Sequence, residues 1–193
     1  TTVPEFDWGG LGVVGGKGTW LQSHGAGVTA HELGHNLGLL HAHFWNTTNY
    51  SSIGPGTNVE YGNIFDTMGN AAAGNTHFGA AYKRQLDWLP DSAIQNVITN
   101  GVYRIYAFDA PERTSGRAYA GQVTRDFDRA YWMEFRNLFT ENPWLQNGVL
   151  INREHGDAEM IDTSPGTPAD RSDSAVVIGR TFSDAAVGVH ITT

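Results

Sequence analysis

His31-Glu32-Leu33-Gly34-His35-Asn36-Leu37-Gly38-Leu39-Leu40-His41 is the stretch on which the reading of this chain turns. On an α-helix, residues four apart differ by about 40° around the axis and about 6 Å along it, so His31 and His35 project from one face. One ion can take both imidazoles. Zinc binds neutral imidazole nitrogen at about 2.0 to 2.1 Å, and a catalytic site has three protein ligands with the fourth position left to water. Glu32 is about 100° round the helix from His31, within reach of that water without ligating the metal, and is the candidate general base. A continued helix would carry His41 about 15 Å along the axis, so the helix must stop for a third imidazole to join the set. Gly38 stands where the stop is needed, because glycine enters the left-handed conformation without a Cβ penalty. Leu33, Leu37, Leu39 and Leu40 are expected to flank the motif with apolar packing that fixes the ligands. A helix carrying ordinary core histidines would leave Glu32 and Gly38 without a reason.

The spacing His-Glu-x-x-His-x-x-Gly-x-x-His, followed by Tyr61-Gly-Asn-Ile-Phe-Asp-Thr-Met68-Gly69, resembles that of the metzincin zinc peptidases, which pair this motif with a methionine-containing turn. Ala42 directly after the third histidine, the Asp66-Thr-Met68-Gly69 turn and the Lys83-Arg-Gln-Leu-Asp-Trp88-Leu89 segment are most similar to the gametolysin-like peptidases and their bacterial relatives. The resemblance covers roughly residues 8 to 90. It implies a catalytic Zn2+ held by His31, His35 and His41, with Glu32 as general base and Met68 as an apolar floor beneath the metal. Metzincins that use a tyrosine near the metal often place it two residues after the methionine, where this chain has Asn70. Tyr61 and Tyr50 are the tyrosines left to fill that place. The implied fold is α+β, a metzincin-like domain with an active-site helix and a methionine turn, followed by a small antiparallel, sandwich-like β domain.

Composition sets outer limits. A chain of 193 residues with 40% hydrophobic content can bury a core as one medium domain or two small ones. Twenty acidic residues against twelve basic ones give a formal charge of -8, which argues against nucleic acid or an anionic membrane as partner. No apolar run approaches the roughly eighteen residues that a membrane span requires, and the opening Thr1-Thr-Val-Pro-Glu lacks a signal-peptide profile. With no cysteine, neither a disulfide framework nor a thiolate nucleophile is available. An acidic, cysteine-free chain suits a protein exported by a bacterium, and a secreted location is expected. The sequons at Asn46 and Asn49 are read as chance occurrences in a polar loop.

Along the chain, residues 8–19 are glycine-dense around short apolar pieces, predicting loops and a short strand leading to Trp20-Leu21. The resemblance makes this the edge that binds an extended peptide by strand addition; the alternative is a plain surface loop. His24 is expected as a loop histidine. Metzincin domains carry a sheet and a backing helix before the metal helix, yet only thirty residues precede His31, so an N-terminal part is expected to be missing. That missing part, or a pro-peptide, is a candidate partner. The metal helix is expected over 25–37, and Phe44 to Asn58 as a surface loop. His43 is expected to be structural, Asn70 to Thr76 small and flexible, and Ala80 to Trp88 a second helix ending near Pro90. His77 and Phe78 either border the substrate pocket or pack.

Beyond residue 99 the texture changes. Val102–Phe108, Arg129–Phe135, Gly148–Arg153, Ala175–Ile178 and Val187–Thr192 alternate between turn residues, predicting an antiparallel β domain. The expected division is therefore 1–98 for the zinc peptidase region and 99–193 for a β-rich domain that supports it. Asp157, Asp162, Asp170 and Asp173 are candidate ligands for Ca2+, although their spacing matches no calcium loop. Taken together, the residues predict a secreted zinc endopeptidase acting on protein or glycoprotein. A mucin-directed peptidase and a non-catalytic module with a structural zinc are the alternatives.

Overall fold

Two short strands, β1 (Gly10–Gly12) and β2 (Thr19–Leu21), form an antiparallel hairpin that lies against helix α1 (Ala26–Asn36). The computed structural model describes residues 8–71, 76–138, 141–154 and 156–193. Most of the Asn70 to Thr76 segment, expected to be small and flexible, lies outside them.

Helix α1 is a poor helix by composition, since Gly27 and Gly34 each cost about 1 kcal/mol relative to alanine. Close packing requires them. A Cβ on Gly27 would lie 1.8 Å from the Ala71 carbonyl oxygen, and one on Gly34 would lie 2.4 Å from Met68 Sδ. The helix is thus seated on the turn that follows the third histidine. It ends as expected at Gly38, whose φ is 92°. The Gly38 N–H donates to the His35 carbonyl at 2.8 Å and the Leu39 N–H to the Gly34 carbonyl at 3.0 Å, the paired bonds of a Schellman ending.

The chain then enters an eight-stranded sheet. Strands β3 (Ala42–Thr47) and β4 (Gly56–Val59) form a hairpin, and helix α2 (Ala80–Gln85) leads to β5 (Ile94–Asn96). Next come β6 (Ala120–Thr124), β7 (Ala130–Glu134), the single-turn helix α3 (Pro143–Gln146), β8 (Gly148–Glu154) and β9 (Ala158–Ile161). Strand β10 (Val176–Val177) pairs with β8, and β11 (Thr181–Asp184) forms a separate hairpin with β12 (Val189–Thr192). The sheet order is β4-β3-β9-β8-β7-β6-β5, with β3–β9 and β5–β6 parallel and the other neighbours antiparallel. The chain is α+β, mostly sheet with three helices among the described residues, and β6 to β9 form an antiparallel β unit. Residue 98, the expected boundary between two domains, falls between β5 and β6, which are neighbours in this one sheet.

Several expectations are corrected. Phe44 to Asn58 is not a surface loop throughout, because β3 buries Ala42 and Phe44 and pairs in parallel with β9, a partner more than a hundred residues away. Only the stretch between β3 and β4 has the loop character its Asn, Ser and Pro content suggests. Val102–Phe108 alternates but joins no ladder; Val102 is fully exposed while Phe108 is buried against Trp132. Of the four leucines in the metal motif only Leu39 is buried; Leu33, Leu37 and Leu40 are 50%, 53% and 45% exposed. Burial of Leu39, Met68, Tyr82, Ala42 and Ala158 in one cluster beneath the helix end replaces the expected apolar flanks.

A buried polar frame ties this cluster to the sheet. Asp66 accepts from the Met68 and Gly79 N–H groups at 2.8 Å each, and burial pushes its carboxyl up to about 7 against those donors. Glu134 on β7 accepts from the Ala80 N–H at 2.6 Å and pairs with Arg136, which donates to the Phe65 carbonyl at 2.6 Å. Both ends of the methionine turn are therefore fixed to β7 and to the start of α2.

Candidate metal centre

The three histidines of the motif meet. Among the described residues they are the only group of three or more His, Cys, Asp or Glu side chains whose ligand atoms lie mutually within 4.8 Å. His31 and His35 come from the last turns of α1, four residues apart as the spacing requires, and His41 arrives from the turn between Gly38 and β3. The His31–His35, His31–His41 and His35–His41 ring centroids are 4.8, 5.4 and 4.8 Å apart.

The outer hydrogen bonds settle which nitrogens face inward. His31 Nδ1 lies 2.8 Å from the Thr67 carbonyl and His35 Nδ1 lies 2.9 Å from the Leu39 carbonyl. A carbonyl only accepts, so each Nδ1 carries the hydrogen and each Nε2 is left with a bare lone pair. His41 Nδ1 is 2.7 Å from Glu60 Oε1, which gives the same tautomer. His35 Nε2 and His41 Nε2 stand 3.1 Å apart. Two lone pairs at that distance repel unless a cation lies between them, and tetrahedral zinc with bonds of about 2.05 Å would separate its nitrogens by about 3.3 Å. The donor set therefore fits zinc in chemistry, and the His35–His41 pair fits it in spacing. Burial lowers the His31 pKa to about 4 and also lowers that of His41, so both rings are neutral near pH 7, as metal ligation requires.

Backbone placement explains why the three histidines converge. Tyr82 on α2 donates to the His41 carbonyl at 2.8 Å and accepts from the Ala158 N–H at 3.0 Å, locking the third ligand to β9. Met68 is wholly buried under the helix, with its sulfur against the Gly34 position.

Glu32 is 6% exposed, and burial raises its pKa, the direction that suits a base working near neutral pH. It lines an open cleft of about 410 Å³ with Trp8, Gly10, His31, Tyr61 and Asn70. Gly10 leaves room for it: a Cβ there would lie 2.5 Å from Glu32 Cγ and 2.7 Å from Oε1.

Other candidates fall elsewhere. Tyr61 packs at a tilt against His41 with centroids 3.9 Å apart, whereas Tyr50 lines a second cavity beside Asp162. His43 turns its Nε2 to Asp157, 3.2 Å away, and is not part of the three-histidine group. His24 lies in an exposed loop. His77 packs on Phe108 and meets Lys83 Nζ at 3.2 Å, while Phe78 packs on Trp88, so neither borders the cleft. Asp157, Asp162, Asp170 and Asp173 are not gathered into one ligand group; Asp162 accepts from the Ser164 N–H, Asp170 pairs with Arg171, and Asp173 accepts from Thr167. No helix among the described residues is long and apolar enough to cross a membrane.

Sequence reasoning missed Glu60 and the carbonyls of Thr67 and Leu39. The carbonyls belong to residues whose side chains carry no signal, and Glu60 reaches His41 only because β4 folds back along β3. No family model matches the chain, and neither a curated protein nor a solved structure matches it.

Proposed function

We propose that this chain is a zinc endopeptidase of the metzincin type, with His31, His35 and His41 as metal ligands and Glu32 as general base. The observation that carries it is the convergence of three bare Nε2 atoms beside a buried carboxylate that faces an open cleft. Zinc, when bound, supplies a Lewis acid that polarises a peptide carbonyl and makes water a nucleophile at neutral pH. Glu32 accepts the proton that the attacking water releases and passes it to the leaving amine, so the peptide bond breaks without a covalent enzyme adduct. Its raised pKa strengthens Glu32 as the base that captures that proton.

A purely structural zinc is closed by four protein ligands. Among the described residues no fourth ligand joins the three histidines, and the nearest extra imidazole, His43, is committed to Asp157. The hairpin β1–β2 borders the cleft through Gly9 and Gly10, which favours an extended peptide as substrate, paired along the strand edge.

The test is hydrolysis of casein by the zinc-loaded protein, alongside a glycosylated mucin. Cleavage of either, abolished by a chelator and restored by added zinc, is the expected result. A zinc-loaded protein that cuts neither substrate would overturn the proposal.

A further inference from the structure

The three ligands are not held alike. His31 and His35 are buried and oriented by backbone carbonyls of the frame beneath them, Thr67 and Leu39. His41 is oriented by a side chain, Glu60, which is 62% exposed and pairs with Nδ1 at 2.7 Å. An exposed carboxylate holds its partner weakly unless the geometry is good. Here the backbone that carries it is fixed. The turn that carries it closes with the Gly62 N–H donating to the Val59 carbonyl at 3.0 Å, directly after β4 pairs Val59 with Phe44. Gly62 seats that turn on β3, since a Cβ at this position would lie 2.5 Å from Phe44 Cβ and 3.0 Å from its nitrogen. Tyr61 takes a left-handed φ of 59°, costly for a residue with a bulky side chain, and in doing so lays its ring on His41 while Glu60 reaches the same imidazole's Nδ1.

We infer that Glu60 is a positioning residue that sets the metal affinity of the centre through His41. Its carboxylate holds the ring in the tautomer that presents Nε2 and makes that nitrogen a stronger donor, and outer partners of this kind are worth about 10- to 100-fold in metal affinity. The inference rests on the zinc reading above. Zinc affinity, measured by competition with a chromogenic chelator, is expected to weaken about 10- to 100-fold in Glu60→Ala and by less in Glu60→Gln, which keeps an acceptor oxygen. The thermal midpoint of the metal-free protein is expected to stay where it is in both variants, because the Glu60 side chain is mostly exposed. Wild-type affinity in Glu60→Ala would overturn the inference, as would a lowered metal-free midpoint accompanied by unchanged zinc affinity. A wild-type protein that binds no zinc at all would strike at the three-histidine ligand set first, and is thereby told apart from a failure confined to Glu60.

Discussion

Glu32→Gln is expected to bind zinc as the wild type does and to lose peptide hydrolysis by about 100- to 10,000-fold, the usual contribution of a positioned acid–base group. The substitution is nearly isosteric. Glu32 is not one of the three grouped histidines and lines the cleft beside His31, so metal affinity has no reason to fall. The amide cannot take a proton from water, and the space left by Gly10 is filled as before. Turnover and zinc content measured on the same preparation separate the two effects. Undiminished proteolysis by the variant would remove Glu32 from the mechanism.

The second large effect belongs to His35→Ala, expected to lose both zinc and turnover. His35 is the central member of the proposed ligand set, with its Nε2 3.1 Å from that of His41 and its ring 4.8 Å from that of His31. Removing it leaves two imidazoles, one of them on the exposed side of the site, and a fall in affinity well beyond the roughly 100-fold typical of an outer partner is expected. The His35 Nδ1 also caps the Leu39 carbonyl at 2.9 Å in a buried setting, so the variant is expected to be less stable by about 1 to 3 kcal/mol as well. Equilibrium dialysis against zinc, with a thermal melt of the metal-free form, reads both losses. Retention of tight zinc binding would show that the ion is held elsewhere.

The meeting of the three histidines was legible because its logic is local. Helical spacing brings His31 beside His35, glycine at position 38 turns the chain, and both are decided within eleven residues. The short strands β7, β8, β10 and β12 were likewise visible from alternation between turn residues. What escaped depends on distant pairing. β3 reads as polar loop because its partner, β9, is far away in sequence, and Val102–Phe108 reads as strand although no neighbour offers it an edge. The leucines of the motif illustrate the same limit, since periodicity marks an apolar face without saying what covers it. Leu39 finds Met68 and Tyr82, while Leu33, Leu37 and Leu40 stay half-exposed. Glu60 and the carbonyl of Thr67 complete the site from a segment whose place beside the helix end is set by the β3–β4 hairpin and the buried Asp66, Glu134 and Arg136 frame.

X-ray absorption at the zinc edge of the loaded protein tests the centre most directly. Three imidazole nitrogens at about 2.0 to 2.1 Å with one further light ligand is the predicted first shell. A spectrum with fewer than three imidazoles, or one unchanged by His41→Ala, would contradict it.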